Sequence, residues 1–244
     1  MIFGKKKKTE VFRSPGTCPI CEDTVTFSAA NSWFRDHLLC SKCGSLPRER
    51  ALMVAIDRFM PDWRNCIIHE SSPAGRGVSL KLKREAVSYI ESQFFPDSTP
   101  GELKNGFRSE DLARLTFEDN SLDIHITQDV MEHVFDIDSA FAEISRTLKP
   151  GGMHIFTVPL VSGANPTLQR ASLYAEGGIN YLYEPEYHGN PVSSEGSLVV
   201  WHWGYDIVHR IFNTSKMNTL VLQIDDISKG IRAEYIDVLV SFKN

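Results

Sequence analysis

Leu122-Asp123-Ile124-His125-Ile126-Thr127 is followed by Ile137, Phe141, Ile144 and Leu148, then by Pro150-Gly151-Gly152 and Met153-His154-Ile155-Phe156-Thr157-Val158. The two hexapeptides are short β-branched and apolar runs, the length and composition of buried strands. Between them, apolar residues recur at intervals of three and four, which places them on one helix face. Asp138 or Ser139 can cap the start of that helix, and Pro150-Gly151-Gly152 stops it. Two strands joined by a crossover helix run parallel, so this stretch predicts an α/β fold.

The pattern extends in both directions. Upstream, Cys66-Ile67-Ile68-His69-Glu70 is an apolar run that enters the small-residue turn Ser71-Ser72-Pro73-Ala74-Gly75-Arg76-Gly77. Val87-Ser88-Tyr89-Ile90-Glu91 is another strand, and Gly106-Phe107-Arg108 starts a third, closed by Glu110-Asp111-Leu112. Downstream, Thr219 to Ile224 and Ala233 to Phe242 read as a hairpin. Residues 160–205, by contrast, are rich in Gly, Pro and Asn and hold seven of the chain's eleven Tyr and Trp residues. So long an excursion from a compact sheet is expected to be functional, and it reads as a lid or acceptor pocket.

The N-terminal part follows another logic. Cys18-Pro19-Ile20-Cys21 and Cys40-Ser41-Lys42-Cys43-Gly44 are two C-x2-C pairs with eighteen residues between them. A two-residue turn lets both thiolates of a pair reach one ion, and two pairs complete a tetrahedral shell. Cys18, Cys21, Cys40 and Cys43 are therefore the predicted ligands of a structural zinc; a redox dithiol is the other reading. The divisions expected are a flexible basic segment at 1–10, the zinc module at 11–44 and a connecting helix at 45–65. Ser45 is the expected cap of that helix, Pro47 fits its first turn and Pro61 ends it. Cys66 reads as a buried thiol, and Arg48 and Arg50 as partners of acids on the main domain, 66–244, with binding of an anion as the other reading.

Composition bounds the function. The chain has 244 residues, 42% hydrophobic and 23% charged, which excludes a disordered or collagen-like protein. Its net charge is −5 although Lys5 to Lys8 are basic, so the body is acidic and argues against a nucleic-acid partner. No apolar run is long enough to span a membrane, and Met1-Ile2-Phe3-Gly4 before the lysines is no secretory h-region, which places the chain in the cytoplasm. No residue pattern fixes an oligomeric state.

Arg108-Ser-Glu-Asp-Leu-Ala-Arg-Leu-Thr-Phe-Glu-Asp-Asn-Ser-Leu-Asp-Ile-His-Ile-Thr-Gln-Asp-Val-Met-Glu-His-Val134, with Ile144-Ser-Arg-Thr-Leu-Lys-Pro-Gly-Gly152, resembles the class I S-adenosylmethionine-dependent methyltransferases, small-molecule type. The resemblance implies a Rossmann-like, seven-stranded, mostly parallel sheet with a reversed last strand. It also implies S-adenosylmethionine as cofactor, across the carboxyl ends of the strands. Carried over by position, Glu70, Ser71, Ser72 and Gly75 belong to the amino-acid end. Glu91, Ser92 and Gln93 occupy the ribose position, Asp111 and Leu112 the adenine position, and Gln128 and Asp129 the methyl end. Glu70-Ser-Ser-Pro-Ala-Gly-Arg-Gly77 departs from the family's Asp/Glu-x-Gly-x-Gly-x-Gly turn, and Pro73 removes one backbone donor.

The resemblance implies methyl transfer to an oxygen or nitrogen of a small-molecule acceptor such as a natural product or sugar. A hydroxyl acceptor needs a base, and His133, His188 and His202 are the candidates. An RNA methyltransferase with a zinc recognition module and a non-catalytic interaction protein are the competing readings.

Overall fold

The computed structural model describes residues 10–190 and 193–244, so the lysine run at 5–8 lies outside the described residues. Phe12–Cys18 (β1), Asp23–Ala29 (β2) and Leu39–Cys40 (β3) form a three-stranded antiparallel sheet, with the short helix Phe34–His37 (α1) before β3. Alternation in β2 turns Val25, Phe27 and Ala29 inward. The residue after each cysteine pair, Glu22 (φ 54) or Gly44 (φ 67), is left-handed. Its N–H donates to the carbonyl of the first cysteine, Cys18 at 2.8 Å and Cys40 at 3.0 Å. The same knuckle is thus built twice.

Pro47–Phe59 (α2) joins this module to the main sheet. Its cap is Leu46 rather than Ser45, because Glu49 Oε2 reaches back to the Leu46 N–H at 2.7 Å. The Ser45 hydroxyl turns instead toward the cysteines, 3.2 Å from Cys43 Sγ.

The main domain continues through Ile67–Ser71 (β4), Gly77–Glu85 (α3), Ser88–Gln93 (β5), Leu103–Lys104 (β6), Phe107–Ser109 (β7), Leu122–Gln128 (β8), Ile137–Thr147 (α4) and Leu148–Thr157 (β9). The excursion holds Leu168–Gln169 (β10), Ala171–Leu173 (β11), Ile179–Tyr181 (β12), Tyr187–Asn190 (β13), Ser193–Leu198 (β14) and Trp201–His202 (β15). Ile207–Ser215 (α5), Asn218–Leu222 (β16) and Val238–Phe242 (β17) close the chain.

The sheet order is β16-β17-β9-β8-β4-β5-β7-β6. β17 is the reversed strand, antiparallel to both β9 and β16, while β4, β5, β7, β8 and β9 run parallel. An eighth strand adds to the seven expected. β6 pairs with β7 across Asn105-Gly106, both at positive φ, the two-residue turn that matches strand twist. α4 begins two or three residues earlier than expected, capped by Asp136, whose carboxylate accepts from the Ser139 N–H at 3.2 Å. Leu148 leaves the helix and starts β9.

Two apolar layers cover the sheet. One holds α4, α5 and Trp203; the other holds Ile68, Ile124 and α2, and runs without a break into Phe27 and Leu38 of the N-terminal module. The cysteine module thus shares its core with the main domain. So small a sheet buries too little alone and shares the larger core. The expectation for Arg50 is corrected. It is fully buried and finds carbonyls rather than acids, donating to Ser45, to Leu38 (2.8 Å) and to Gly230 (2.7 Å). Burial pulls its pKa down to about 10. Cys66 is only half-buried.

The sheet also carries a polar seam. His69 Nδ1 lies 2.9 Å from His125 Nδ1, His69 Nε2 lies 2.8 Å from Ser92 Oγ, and His125 Nε2 lies 2.7 Å from Thr147 Oγ1. Thr147 spends its proton on the helix carbonyls of Glu143 and Ile144, so His125 Nε2 must be the donor. His125 Nδ1 then accepts from His69, and His69 Nε2 accepts from Ser92. Both rings are neutral.

Candidate functional site

A cleft of about 1080 Å³ opens at the carboxyl ends of β4, β5 and β8, where parallel strands present their loops. It is bordered by Ser71, Ser72, Gln93, Asp111, Leu112, Gln128 and Asp129, and further along by His133, His188 and His202. Ser72 (φ 55) and Asp129 (φ 53) are left-handed, a conformation costly for residues other than glycine. Each stands directly after the last residue of its strand, β4 or β8, and borders the cleft.

Four residues of the predicted set do not border the cleft, Gly75 and three whose side chains are turned elsewhere. Glu91 pairs with Lys83 of α3 at 2.5 Å, and Ser92 is committed to His69, which leaves Gln93 at the cleft for this strand. Glu70 is fully buried behind the wall, accepting from Tyr89 (2.5 Å), Gln128 (2.6 Å) and Ser79 (2.7 Å). Burial raises its carboxyl above the ordinary value against those three donors. Glu70 therefore orients Gln128 rather than facing the cleft.

The small-residue turn has two different glycines. At Gly75 (φ +65) an added Cβ meets nothing within 4 Å. At Gly77 (φ +55) it would lie 2.4 Å from Glu49 Oε2, so Gly77 is required by the helix that joins the N-terminal module. Glu49 also pairs with Arg76 at 2.8 Å. Asp111 borders the cleft while its Oδ1 accepts from the Ala113 N–H at 2.9 Å, which makes it a turn former as well.

Of the basic wall, sequence reasoning missed Arg35, while Arg48 meets an acid of the main domain as expected. Arg35 of α1 and Arg48 of α2 both pair with Asp129, at 2.8 and 3.0 Å, and both border the cleft. A helix of four residues gives no periodic signal, and the contact spans 94 residues. The Asp129 carboxylate is thus paired from α1 and α2.

The far end of the cleft gathers ionisable groups. Glu132, in the turn after β8, lies 3.7 Å from His133 Nε2 and 3.6 Å from His188 Nδ1. Glu186 lies 3.4 Å from His188 Nε2 and 2.9 Å from His202 Nε2. The Glu132 carboxylate, helped by Glu186, raises His188 above the ordinary imidazole value. The three predicted histidines do meet here, with Glu132 and Glu186. The aromatic wall expected of residues 160–205 is corrected. Tyr174, Tyr181, Tyr183, Tyr187 and Tyr205 are exposed on short hairpins and turns, Trp203 is buried in the core, and Trp201 alone of these borders the cleft.

The four cysteine sulfurs lie within 4.8 Å of one another, with Cys18–Cys43 at 3.7 Å and Cys21–Cys40 at 3.9 Å. Thiolates at about 2.3 Å from a tetrahedral ion are about 3.8 Å apart, so the donor set fits one. Sharing a proton with Cys43 pulls Cys18 down to about 4, while burial pushes Cys21 up to about 11.

Residues 75–156 match the family model of the methyltransferase domain. The match runs from the small-residue turn to the end of β9, the stretch that builds the near half of the cleft. The crystal structure of an S-adenosylmethionine-dependent methyltransferase from Mesorhizobium loti is 16% identical, covers 80% of this chain and 98% of its own, and superposes with a TM-score of 0.50. That likeness shows the fold of the methyltransferase domain. A methyltransferase from Methanosarcina mazei is 14% identical over 75% of this chain and 96% of its own, at a TM-score of 0.43. The 1,6-didemethyltoxoflavin-N1-methyltransferase of Burkholderia thailandensis is 10% identical over 80% of this chain and 78% of its own, at 0.46. No curated protein matches the chain. Among the described residues, no helix is long and apolar enough to cross a membrane.

Proposed function

We propose that this protein transfers the methyl group of S-adenosylmethionine to an oxygen or nitrogen of a small-molecule acceptor. The observation that carries the reading is one continuous cleft joining strand-end residues to a histidine–carboxylate cluster. Gln93, Asp111 and Leu112 would hold the nucleoside end of the cofactor. Ser71, Ser72 and Gln128 would hold its amino-acid end, where Arg35, Arg48 and Arg76 supply positive charge for a carboxylate. When bound, the cofactor supplies a methyl group activated by its sulfonium. The chain's part is then alignment and exclusion of water.

A hydroxyl acceptor must lose a proton. His202 suits that step because Glu186, 2.9 Å from Nε2, fixes the ring and stabilises the imidazolium formed when Nδ1 takes the proton. The acidic lining at Glu132 and Glu186 favours a small neutral or cationic acceptor over a polyphosphate chain. Zinc on Cys18, Cys21, Cys40 and Cys43 completes the reading as a structural ion, since four protein ligands leave no open position.

Calorimetric titration with S-adenosylmethionine tests the proposal first, followed by methyl-transfer assays on hydroxyl and amine acceptors and on RNA. Saturable cofactor binding with transfer to small acceptors is expected. Absence of cofactor binding would leave an interaction module, and transfer to RNA alone would overturn the acceptor class.

A further inference from the structure

Glu132 is 1% exposed, and among the described residues neither of its carboxylate oxygens has a hydrogen-bond partner. A carboxylate taken out of water without hydrogen bonds is costly, and such groups are held by paired charges or metals. The two nearest groups are imidazole nitrogens, His133 Nε2 at 3.7 Å and His188 Nδ1 at 3.6 Å from the same oxygen, Oε1. Both lie beyond hydrogen-bond reach. Donor atoms sharing one cation at about 2.0–2.2 Å stand roughly 3–3.6 Å apart, so these separations leave space for an ion between them.

The tautomers are set for the same purpose. His133 Nδ1 is 2.8 Å from the Leu198 carbonyl, which can only accept, so Nδ1 carries the hydrogen and Nε2 offers its lone pair. His188 Nε2 faces Glu186 Oε1 at 3.4 Å, which favours the hydrogen there and the lone pair on Nδ1, toward Glu132. A ligating histidine that donates its other N–H to a carbonyl or carboxylate is the usual supporting arrangement of a metal site. The two rings stand at 90° with centroids 5.2 Å apart, converging from different elements. All three residues border the cleft, which leaves one side of the ion free.

We propose that Glu132, His133 and His188 bind one divalent cation of the kind that accepts imidazole and carboxylate together, such as manganese, iron or zinc. This site is separate from the four cysteines and different in chemistry, with nitrogen and oxygen donors and open positions. Its role in the reaction rests on the methyltransferase reading: a cation there would hold an acceptor hydroxyl and lower its pKa. The acceptor O–H proton passes to His202, the oxygen pair forms the new O–CH3 bond, and the S–CH3 bond breaks to leave a thioether. Binding of the cation itself does not depend on that reading.

The test uses the full chain, loaded with one equivalent of zinc and free of cofactor, titrated with Mn²⁺ and followed by electron paramagnetic resonance. One saturable Mn²⁺ per chain is expected. Glu132→Gln and His188→Ala should each weaken it at least about tenfold, the usual effect of losing a ligand or its support. S-adenosylmethionine affinity, measured on the same samples, should stay within about threefold. If Glu132→Gln does not fold, His188→Ala decides, because its side chain is 37% exposed. Absence of saturable binding of either Mn²⁺ or a second zinc in the wild type overturns the site. So does undiminished binding in the variants. Loss of cofactor binding with Mn²⁺ retained would strike the methyltransferase reading instead.

Discussion

Arg35 Nη2 lies 2.8 Å from Asp129 Oδ2, a contact that ties the cysteine module to the end of the fourth parallel strand. Both side chains are largely buried, at 8% and 19% exposure, so solvent screens the pair little. Arg35 stands on a four-residue helix just before Leu39–Cys40, and its position depends on the cysteine cluster being closed. The N-terminal module is therefore a wall of the cleft as well as an appendage.

Metal removal should for this reason weaken cofactor binding. One zinc per chain is expected in the purified protein by elemental analysis. Stripping it with a chelator should lower S-adenosylmethionine affinity by about tenfold or more, the effect of losing a charge-assisted contact of about 1.5–3 kcal/mol. It should also lower the melting temperature of the whole domain, since Phe27 and Leu38 share a core with Ile68 and Ile124. Affinity unchanged after complete zinc loss would show that the module and the cleft are independent.

Substitution can separate the turn-forming role of Asp111 from its proposed contact with the cofactor. Its Oδ1 accepts from the Ala113 N–H, and asparagine can do the same, whereas alanine cannot. Asp111→Asn should keep the turn and stability but weaken cofactor binding about tenfold through loss of the charge. Asp111→Ala should lose both. Equal, wild-type affinities by calorimetry in the two variants would leave Asp111 as a turn former only.

The parts of this molecule that follow from local periodicity were legible in its sequence. Leu122–Gln128, Ile137–Thr147 and Leu148–Thr157 are found as strand, helix and strand because their apolar patterns are strong, although Pro150-Gly151-Gly152, read as the helix stop, lies inside the last strand. The cysteine cluster was legible because ligand spacing is itself local. The Leu103–Lys104 strand was not, being two residues long, although Asn105-Gly106 is a hairpin signal. The partners of Asp129 and Glu132 were hidden for another reason. Arg35 and His188 reach them across the fold, and no short-range pattern records such a contact. The same holds for Ser45, whose capping role passed to Leu46 once the Glu49 carboxylate could serve the Leu46 N–H.

Gly77→Ala tests the joint between the module and the small-residue turn. The new Cβ would meet Glu49 Oε2 at 2.4 Å, and the residue would be left-handed at φ +55. A strained backbone of this kind costs about 1–3 kcal/mol, to which displacement of a buried carboxylate adds. Urea unfolding should show a loss of at least about 2 kcal/mol. Gly75→Ala, also left-handed but with open space around the Cβ, should cost less. Equal losses at the two glycines would mean that backbone conformation alone governs both.

Acid should unfold the protein through its histidine seam. Burial is the first cause that holds His69 and His154 down to about 3, and it lowers His125 as well, with neighbouring charges adding to the effect. Free imidazole titrates near 6.5, so below that pH the unfolded chain binds protons that the folded chain refuses. Stability is full above about pH 6.5 and falls as the pH drops toward the folded values, by up to about 1.4 kcal/mol per histidine per pH unit. Glu70 acts in the opposite sense. Its raised carboxyl takes a proton in the folded state first, which offsets part of the loss between its folded value and the ordinary glutamate range. His154 is the cleanest probe, because it stacks on Phe156 at 4.0 Å and, among the described residues, its side chain makes a single hydrogen bond, to Thr127 at 3.0 Å. His154→Phe keeps the stacking and removes one refused proton. Between pH 6 and 5 its stability should therefore fall less steeply than the wild type's, by roughly one proton's worth of slope. Parallel pH profiles for the two proteins in urea unfolding would show that His154 is protonated inside the fold.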